Sequence, residues 1–160
     1  MNIMGVDCGM NGALTTMNGV ENIVYDMPTY QITKGKSLRK RIDIRALLKI
    51  LRDEKPDHVY IEQVSAQFGN GASSAFTYGQ GVGIVEACVV ACDLPFTYVT
   101  AMSWKKAMCC PADKDAARMR ASQLLPSMSH NWERKKDDGR AESALICLWG
   151  MKQILNTNKG

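Results

Sequence analysis

The chain predicts an α/β fold on three observations. It opens with three short apolar runs separated by turn residues, with Asn18-Gly19, a strong hairpin signal, between the second and third. From Asp43 onward, β-like runs alternate with segments whose apolar residues recur at helical spacing. The 160 residues are 46% hydrophobic and 22% charged, enough apolar material for a sizeable core and too little charge for disorder. That length suits one domain spanning residues 1–160.

Asn2 to Asp7 form the first run, which ends in Asp-Cys-Gly. Gly12 to Met17 and Val20 to Met27 flank Asn18-Gly19, whose two positions suit the positive φ of a tight turn, so residues 1–27 read as a three-stranded antiparallel meander. Pro28 ends the third strand. Thr29 to Arg41 carries Lys34, Lys36, Arg39, Lys40 and Arg41 around Gly35 and Ser37, and reads as a basic, mobile loop. Asp43 reads as an N-cap, followed by Ile44, Leu47, Leu48 and Leu51 on one helical face, and the helix stops before Pro56. His58 to Ile61 is a strand with Glu62 at its exit, and Ser65 to Gly71 a loop. A long helix runs from about Ser73 to Ala91; an interior glycine costs ~1 kcal/mol relative to alanine, so Gly79, Gly81 and Gly83 imply a close helix approach. Leu94 to Val99 is a further strand. Thr100 caps a helix bearing Trp104, Lys105 and Lys106, another helix spans Asp113 to Leu125 and ends at Pro126, and the last runs from Asp138 to about Leu155.

Several classes of function are excluded or weakened at this point. No basic stretch followed by a long apolar run opens the chain, and no segment reaches the ~18 apolar residues of a membrane span. Cys8, Cys88, Cys92, Cys109, Cys110 and Cys147 form no CxxC pair, and only two histidines are present, which argues against zinc. Several of these cysteines lie in apolar runs as small core residues, as expected in a reducing cytosol. The net charge of +4, from 20 basic and 16 acidic residues, hints at a polyanionic partner, more strongly if some of the acids hold metal.

Four acids carry the chemistry. Asp7 and Glu62 each stand where an apolar run stops, while Asp138 and Glu142 share a helix face with Leu145, Trp149 and Lys152 at steps of four, three, four and three. The pair therefore begins a core-facing stripe, where a carboxylate is costly unless a cation or hydrogen bonds compensate it. Singly, Asp7 reads as a turn residue, Glu62 as a surface acid and Asp138 as an N-cap. Jointly that reading leaves Glu142 without a partner. Oxygen-rich clusters suit hard divalent cations such as Mg²⁺ or Mn²⁺. The four carboxylates are thus expected to form a metal-dependent active site for phosphate chemistry. Asp138 is preferred over its neighbour Asp137 because it alone shares a face with Glu142.

Five stretches, GVDCGMNGAL, YIEQV, TYGQGVGIVEA, TYVTAMSWKKAM and KKDDGRAESALICLWG, span nearly the whole chain in order. Together they resemble the RuvC-type Holliday junction resolvases, and within them the small enzymes of bacteriophages. The resemblance implies a ribonuclease-H-like fold, with a five-stranded mixed sheet of order 3-2-1-4-5 flanked by helices, and a homodimer acting on four-way DNA junctions. It implies Asp7, Glu62, Asp138 and Glu142 as catalytic, metal-binding carboxylates and, for a phage-encoded enzyme, work in the host bacterial cytoplasm. Two departures stand out. Cys8 occupies a position where many relatives have proline, and the last-helix pair is Asp-x-x-x-Glu where the bacterial enzymes have Asp-x-x-Asp.

The remaining candidates concern DNA. Lys36, Arg39, Lys40, Arg41, Lys105, Lys106, Lys135 and Lys136, with Lys34, Arg134 and Arg140, are expected to form a basic rim, the last able to pair with an acid instead. Phe68 is a candidate wedge between bases, although relatives carry their loop aromatic where this chain has Ser65. Phe76 and Tyr78 are expected to pack. The glycine-bearing helix either packs on its own sheet or meets its copy across a two-fold axis. Three other readings compete: an actin-like ATPase or sugar kinase, which needs a second phosphate loop and about twice this length; a junction binder without catalysis; and a nuclease acting on RNA–DNA hybrids.

Overall fold

A computed structural model describes residues 1–63, 71–111 and 113–157. Its main sheet has five strands: β1 (Ile3–Asp7), β2 (Ala13–Met17), β3 (Asn22–Asp26), β6 (His58–Gln63) and β7 (Phe96–Thr100). The spatial order is β3-β2-β1-β6-β7, which is 3-2-1-4-5 when the strands of this sheet alone are counted. β1 pairs antiparallel with β2 and parallel with β6, and β6 pairs parallel with β7, so the sheet is mixed as expected.

Between β3 and β6 the chain adds a second, two-stranded sheet, β4 (Thr29–Lys34) and β5 (Ser37–Ile42). The sequence reading of Thr29 to Arg41 as a loop is thereby corrected. Gly35 takes a φ of +63° at the tip, the conformation a tight hairpin turn demands. Most of β5 is exposed, so no buried face imposes the apolar alternation by which strands are recognised. The β2–β3 connection also differs in detail. Gly19 alone takes positive φ, at 85°, and Asn18 contributes through its side chain, whose Oδ1 accepts from the Val20 and Glu21 amides at 2.9 and 2.7 Å.

Helices cover both faces of the sheet. α1 (Ile44–Glu54) and α2 (Ala72–Ala91) lie on one, over Met4, Val6, Leu14, Val59 and Ile61. α5 (Asp138–Thr157) lies on the other, over Ile3 and Tyr60, joined there by α3 (Ala101–Ala107) and α4 (Lys114–Leu124) through Trp104, Ala117 and Ala121. The caps expected at Asp43 and Thr100 are present, their side chains accepting from the Ala46 and Ser103 amides at 3.1 and 3.2 Å. A 3₁₀ segment, Pro126–Trp132, follows α4. α5 lies almost on the backbone of β1: a Cβ on Gly5 would collide with the Ser143 carbonyl and the Cys147 amide. All six cysteines are free, and no helix among the described residues is long and apolar enough to cross a membrane.

Candidate active site

Strand geometry brings the first two acids together. Side chains alternate between faces along a strand, so Asp7 projects with Ile3 and Gly5, and Glu62 with Tyr60, toward α5. The β1–β6 register ends by pairing Val6 with Ile61, which leaves Asp7 and Glu62 as the next residue of each neighbouring strand. α5 then lays its first turn across them. A Cβ on Gly139 would stand 2.5 Å from the Asn11 carbonyl oxygen, 2.8 Å from Gly12 Cα and 3.1 Å from Asp7 Oδ2. The absent side chain therefore lets Asp138 and, one turn later, Glu142 approach the strand ends.

The electrostatics record this convergence. The Asp7 carboxyl is pushed from 3.8 to about 7, first by burial, then by the charges of Glu62 and Glu142, with a smaller push from Asp138; the Gly9 amide opposes the rise. Glu62 is 5% exposed, so it is no surface acid. Burial raises its carboxyl most, Trp104 Nε1–H lowers it by donating to Oε1 at 2.9 Å, the Glu142 charge raises it and Lys105 lowers it. Lys105 Nζ stands 3.2 Å from Glu142 Oε1 and 5.1 Å from the Trp104 ring centroid. It is a counter-charge inside the site, half-buried, where the sequence reading had placed it on the basic rim.

The two neighbouring acids have different surroundings. Asp137 is buried but turned away into an ion pair: Arg134 Nε and NH2 each reach it at 2.9 Å and hold its carboxyl below the usual range. Asp138 acts on Asp7. Arg140 pairs with Asp26 at 2.6 and 2.7 Å, so of its two expected roles the structure shows the ion pair. A cleft of about 410 Å³ is lined by the basic residues Lys40, Arg134, Lys136 and Arg140 and by the acids Asp26, Asp137 and Asp138. Lys36, Arg39, Lys40, Lys106, Lys135 and Lys136 are exposed; Lys40 Nζ donates to Asn11 Oδ1 at 2.8 Å, the half-buried Arg41 donates to Gln80 at 2.7 Å, and Lys135 lies 3.6 Å from Asp115. Phe68 lies outside the described residues. Phe76, expected to pack, is 72% exposed.

The donor set fits a hard divalent cation: four carboxylates from three elements, two with raised proton affinity and one lysine for compensation. As they stand, no three metal-binding side chains among the described residues are gathered closely enough to close on an ion. Trp104 was read from the sequence only as a helix residue; nothing in its spacing reveals an indole N–H aimed at a buried acid.

No protein-family model matches the chain, and no curated protein matches its sequence. Solved structures do. Thermus thermophilus RuvC superposes with a TM-score of 0.61 at 16% identity, covering 96% of both chains. The same enzyme in complex with a Holliday junction substrate gives 0.61 at 13% identity, again over 96% of both. The yeast mitochondrial Holliday junction resolvase Ydc2 gives 0.50 at 15%, over 91% of this chain and 75% of that one. At such identities the likeness is one of architecture: this chain has the ribonuclease-H-like fold of the RuvC-type Holliday junction resolvases.

Proposed function

We propose that residues 1–160 form a single nuclease domain, a structure-selective endonuclease that resolves four-way and other branched DNA junctions by paired metal-dependent nicks. One observation carries the reading. On a resolvase-like fold, Asp7 and Glu62 end neighbouring strands under the first turn of α5, and burial first, then the charges of Glu62 and Glu142, raise the Asp7 carboxyl to about 7. A buried cluster of like charge is costly, and a functional site is where such cost is retained.

Asp7, Glu62, Asp138 and Glu142 are the residues that would hold Mg²⁺ or Mn²⁺, two ions by this reading. When bound, such ions generate a nucleophile from water at neutral pH and stabilise charge on the leaving oxygen. The chain's own groups prepare the site. Trp104 fixes Glu62, Gly139 admits α5, and Lys105 compensates Glu142. The decisive experiment offers a four-way junction, a linear duplex and an RNA–DNA hybrid with Mg²⁺. Symmetric nicking of the junction alone supports the proposal. Cutting of the hybrid alone supports a hybrid nuclease, and binding without cutting supports a junction-binding protein.

The exposed lysines of the cleft, Lys40 and Lys136, support a DNA backbone partner. Among the described residues neither Lys40 nor Lys136 has a carboxylate partner. Each phosphate neutralised steepens the fall of log K with log salt by about 0.9. Lys40→Ala and Lys136→Ala are each expected to reduce the slope of junction binding by about 1, measured by fluorescence anisotropy from low to moderate salt. Unchanged slopes would remove these lysines from the DNA path.

A homodimer belongs to the same proposal, since two sites can nick opposing strands of a two-fold junction. Of the three α2 glycines only Gly81 packs closely, 2.7 Å from its added Cβ to the Cys8 carbonyl oxygen; nothing lies within 4 Å at Gly79 or Gly83. Ala72, Phe76, Gly79, Gly83, Ala87 and Val90 form an exposed stripe of small and apolar residues at helical spacing. A second copy would cover it. Sedimentation at micromolar concentration is expected to give a dimer mass, and Val90→Asp a monomer.

A further inference from the structure

Tyr78 was expected to pack, and its ring does, against the cluster that contains Cys8, Val6 and Ile61. Its hydroxyl does something else. Tyr78 Oη is buried and has no hydrogen-bond partner. A buried hydroxyl left unpaired costs about 1–3 kcal/mol, so such a group calls for a reason.

Its position supplies one. Gly81, one turn along α2, is pressed against the backbone of Cys8, the residue after Asp7. Residues three apart share a helix face, so Tyr78 stands on the face of α2 that meets the end of β1. From there burial acts on its hydroxyl most, then the neighbouring Cys8, then the acids Glu62, Asp7 and Glu142 in that order. Burial first, with Cys8 and the acids after it, holds the phenol well above its usual range, so it stays protonated and can only donate to a carboxylate. Glu62 has room for such a donor: Trp104 Nε1–H occupies Oε1, and among the described residues no donor reaches Oε2.

We propose that Tyr78 is a positioning residue of the acid cluster, its hydroxyl donating to Glu62 once that carboxylate is turned toward a bound divalent cation. Trp104 and Tyr78 would then hold the two oxygens of one ligand from opposite faces of the sheet. Hydrogen-bonded partners of this kind orient metal-binding carboxylates, and their loss typically costs 10–100-fold in metal affinity. The inference rests on the metal reading of the preceding section and adds a residue to it.

The test needs no DNA. Wild type and Tyr78→Phe are melted without metal and across a Mn²⁺ titration, since a ligand of the folded state raises the melting point by mass action. Removing an unpaired buried hydroxyl should leave metal-free Tyr78→Phe at least as stable as wild type, while the Mn²⁺ concentration for half the maximal shift rises about tenfold. Trp104→Phe should raise it too, and the two substitutions together should be non-additive because they act on one carboxylate. Four-way junction affinity in EDTA should be unchanged. An equal Mn²⁺ response in wild type and Tyr78→Phe overturns the donor role alone. So does a metal-free Tyr78→Phe protein that melts lower or fails to fold, because its hydroxyl would then already be bonded. A wild type that gains nothing from Mn²⁺ overturns the metal reading, and this inference with it.

Discussion

Asp7→Asn is expected to abolish junction cleavage, by about 10³-fold or more, while junction binding persists and the metal-free protein becomes more stable at neutral pH. The three outcomes share one cause. Asp7 lies where β1 stops, beside Glu62, under the first turn of α5, and its carboxyl is raised from 3.8 to about 7 by burial first and by Glu62 and Glu142 next. Between those two values the folded chain keeps a proton that the unfolded chain has released. Stability therefore falls as pH rises from about 4 to about 7, and the penalty is constant above that. Asparagine carries no charge and escapes it. In EDTA the melting point of Asp7→Asn should match wild type near pH 4, pull ahead through pH 7 and stay ahead at pH 8 by about 8–16 °C at most. A rise from 3.8 to about 7 corresponds to at most about 4 kcal/mol, and each kcal/mol moves the melting point of a chain of this size by about 2–4 °C. Binding should survive because the basic residues of the cleft, Lys40 and Lys136, are on other elements. The variant may be judged on either count: retained Mg²⁺-dependent nicking removes Asp7 from the chemistry, and identical metal-free melting profiles remove it from a mutually repelling cluster.

The parts of this site that could be read from the sequence are those announced by local chemistry. Asp43 and Thr100 lead from strands into helices because a short side-chain oxygen satisfies an amide that the helix leaves unpaired, at Ala46 and Ser103. β1 and β6 were visible as apolar runs because the sheet buries them on both faces. Asp138 and Glu142 were visible as a pair because four residues make one helical turn. The hairpin of Thr29 to Ile42 was not, since strands with little buried surface carry no apolar alternation and its lysines and arginines read as a solvated loop. Trp104, Lys105 and Tyr78 were hidden for another reason. Their spacing states which face of a helix they occupy, whereas their roles lie in one polar atom at the tip of each side chain. Where that atom points depends on β6 and β1, which lie far away in the chain. Asp137 shows the same limit. It differs from Asp138 by a single position, yet Arg134 closes on it and takes it out of the cluster.

Gly139→Ala should separate the fold from the site more sharply than removal of any acid. In an open helix the change would stabilise, by up to about 1 kcal/mol, because alanine is the better helix former. Here the added methyl would meet the Asn11 carbonyl oxygen at 2.5 Å and Gly12 Cα at 2.8 Å, both backbone atoms. That loop has little freedom to retreat. The Gly12 amide donates to the Gly9 carbonyl at 2.9 Å, and the Gly12 carbonyl accepts from the Met27 amide at 2.9 Å. Further along, α5 is held against β1 at Gly5 by the Ser143 and Cys147 backbone. The displacement must therefore fall on the first turn, which carries Asp138 and Glu142 away from Asp7 and Glu62. Overpacking of this kind costs about 1–3 kcal/mol, and a misplacement of about 1 Å in a catalytic arrangement costs about 10²-fold in rate. The variant is expected to remain folded, to melt lower than wild type, to bind four-way junctions normally and to cut them about 10²-fold more slowly. A Gly139→Ala protein that melts higher and cuts at the wild-type rate would show that α5 can present its carboxylates without lying against the Asn11–Gly12 backbone.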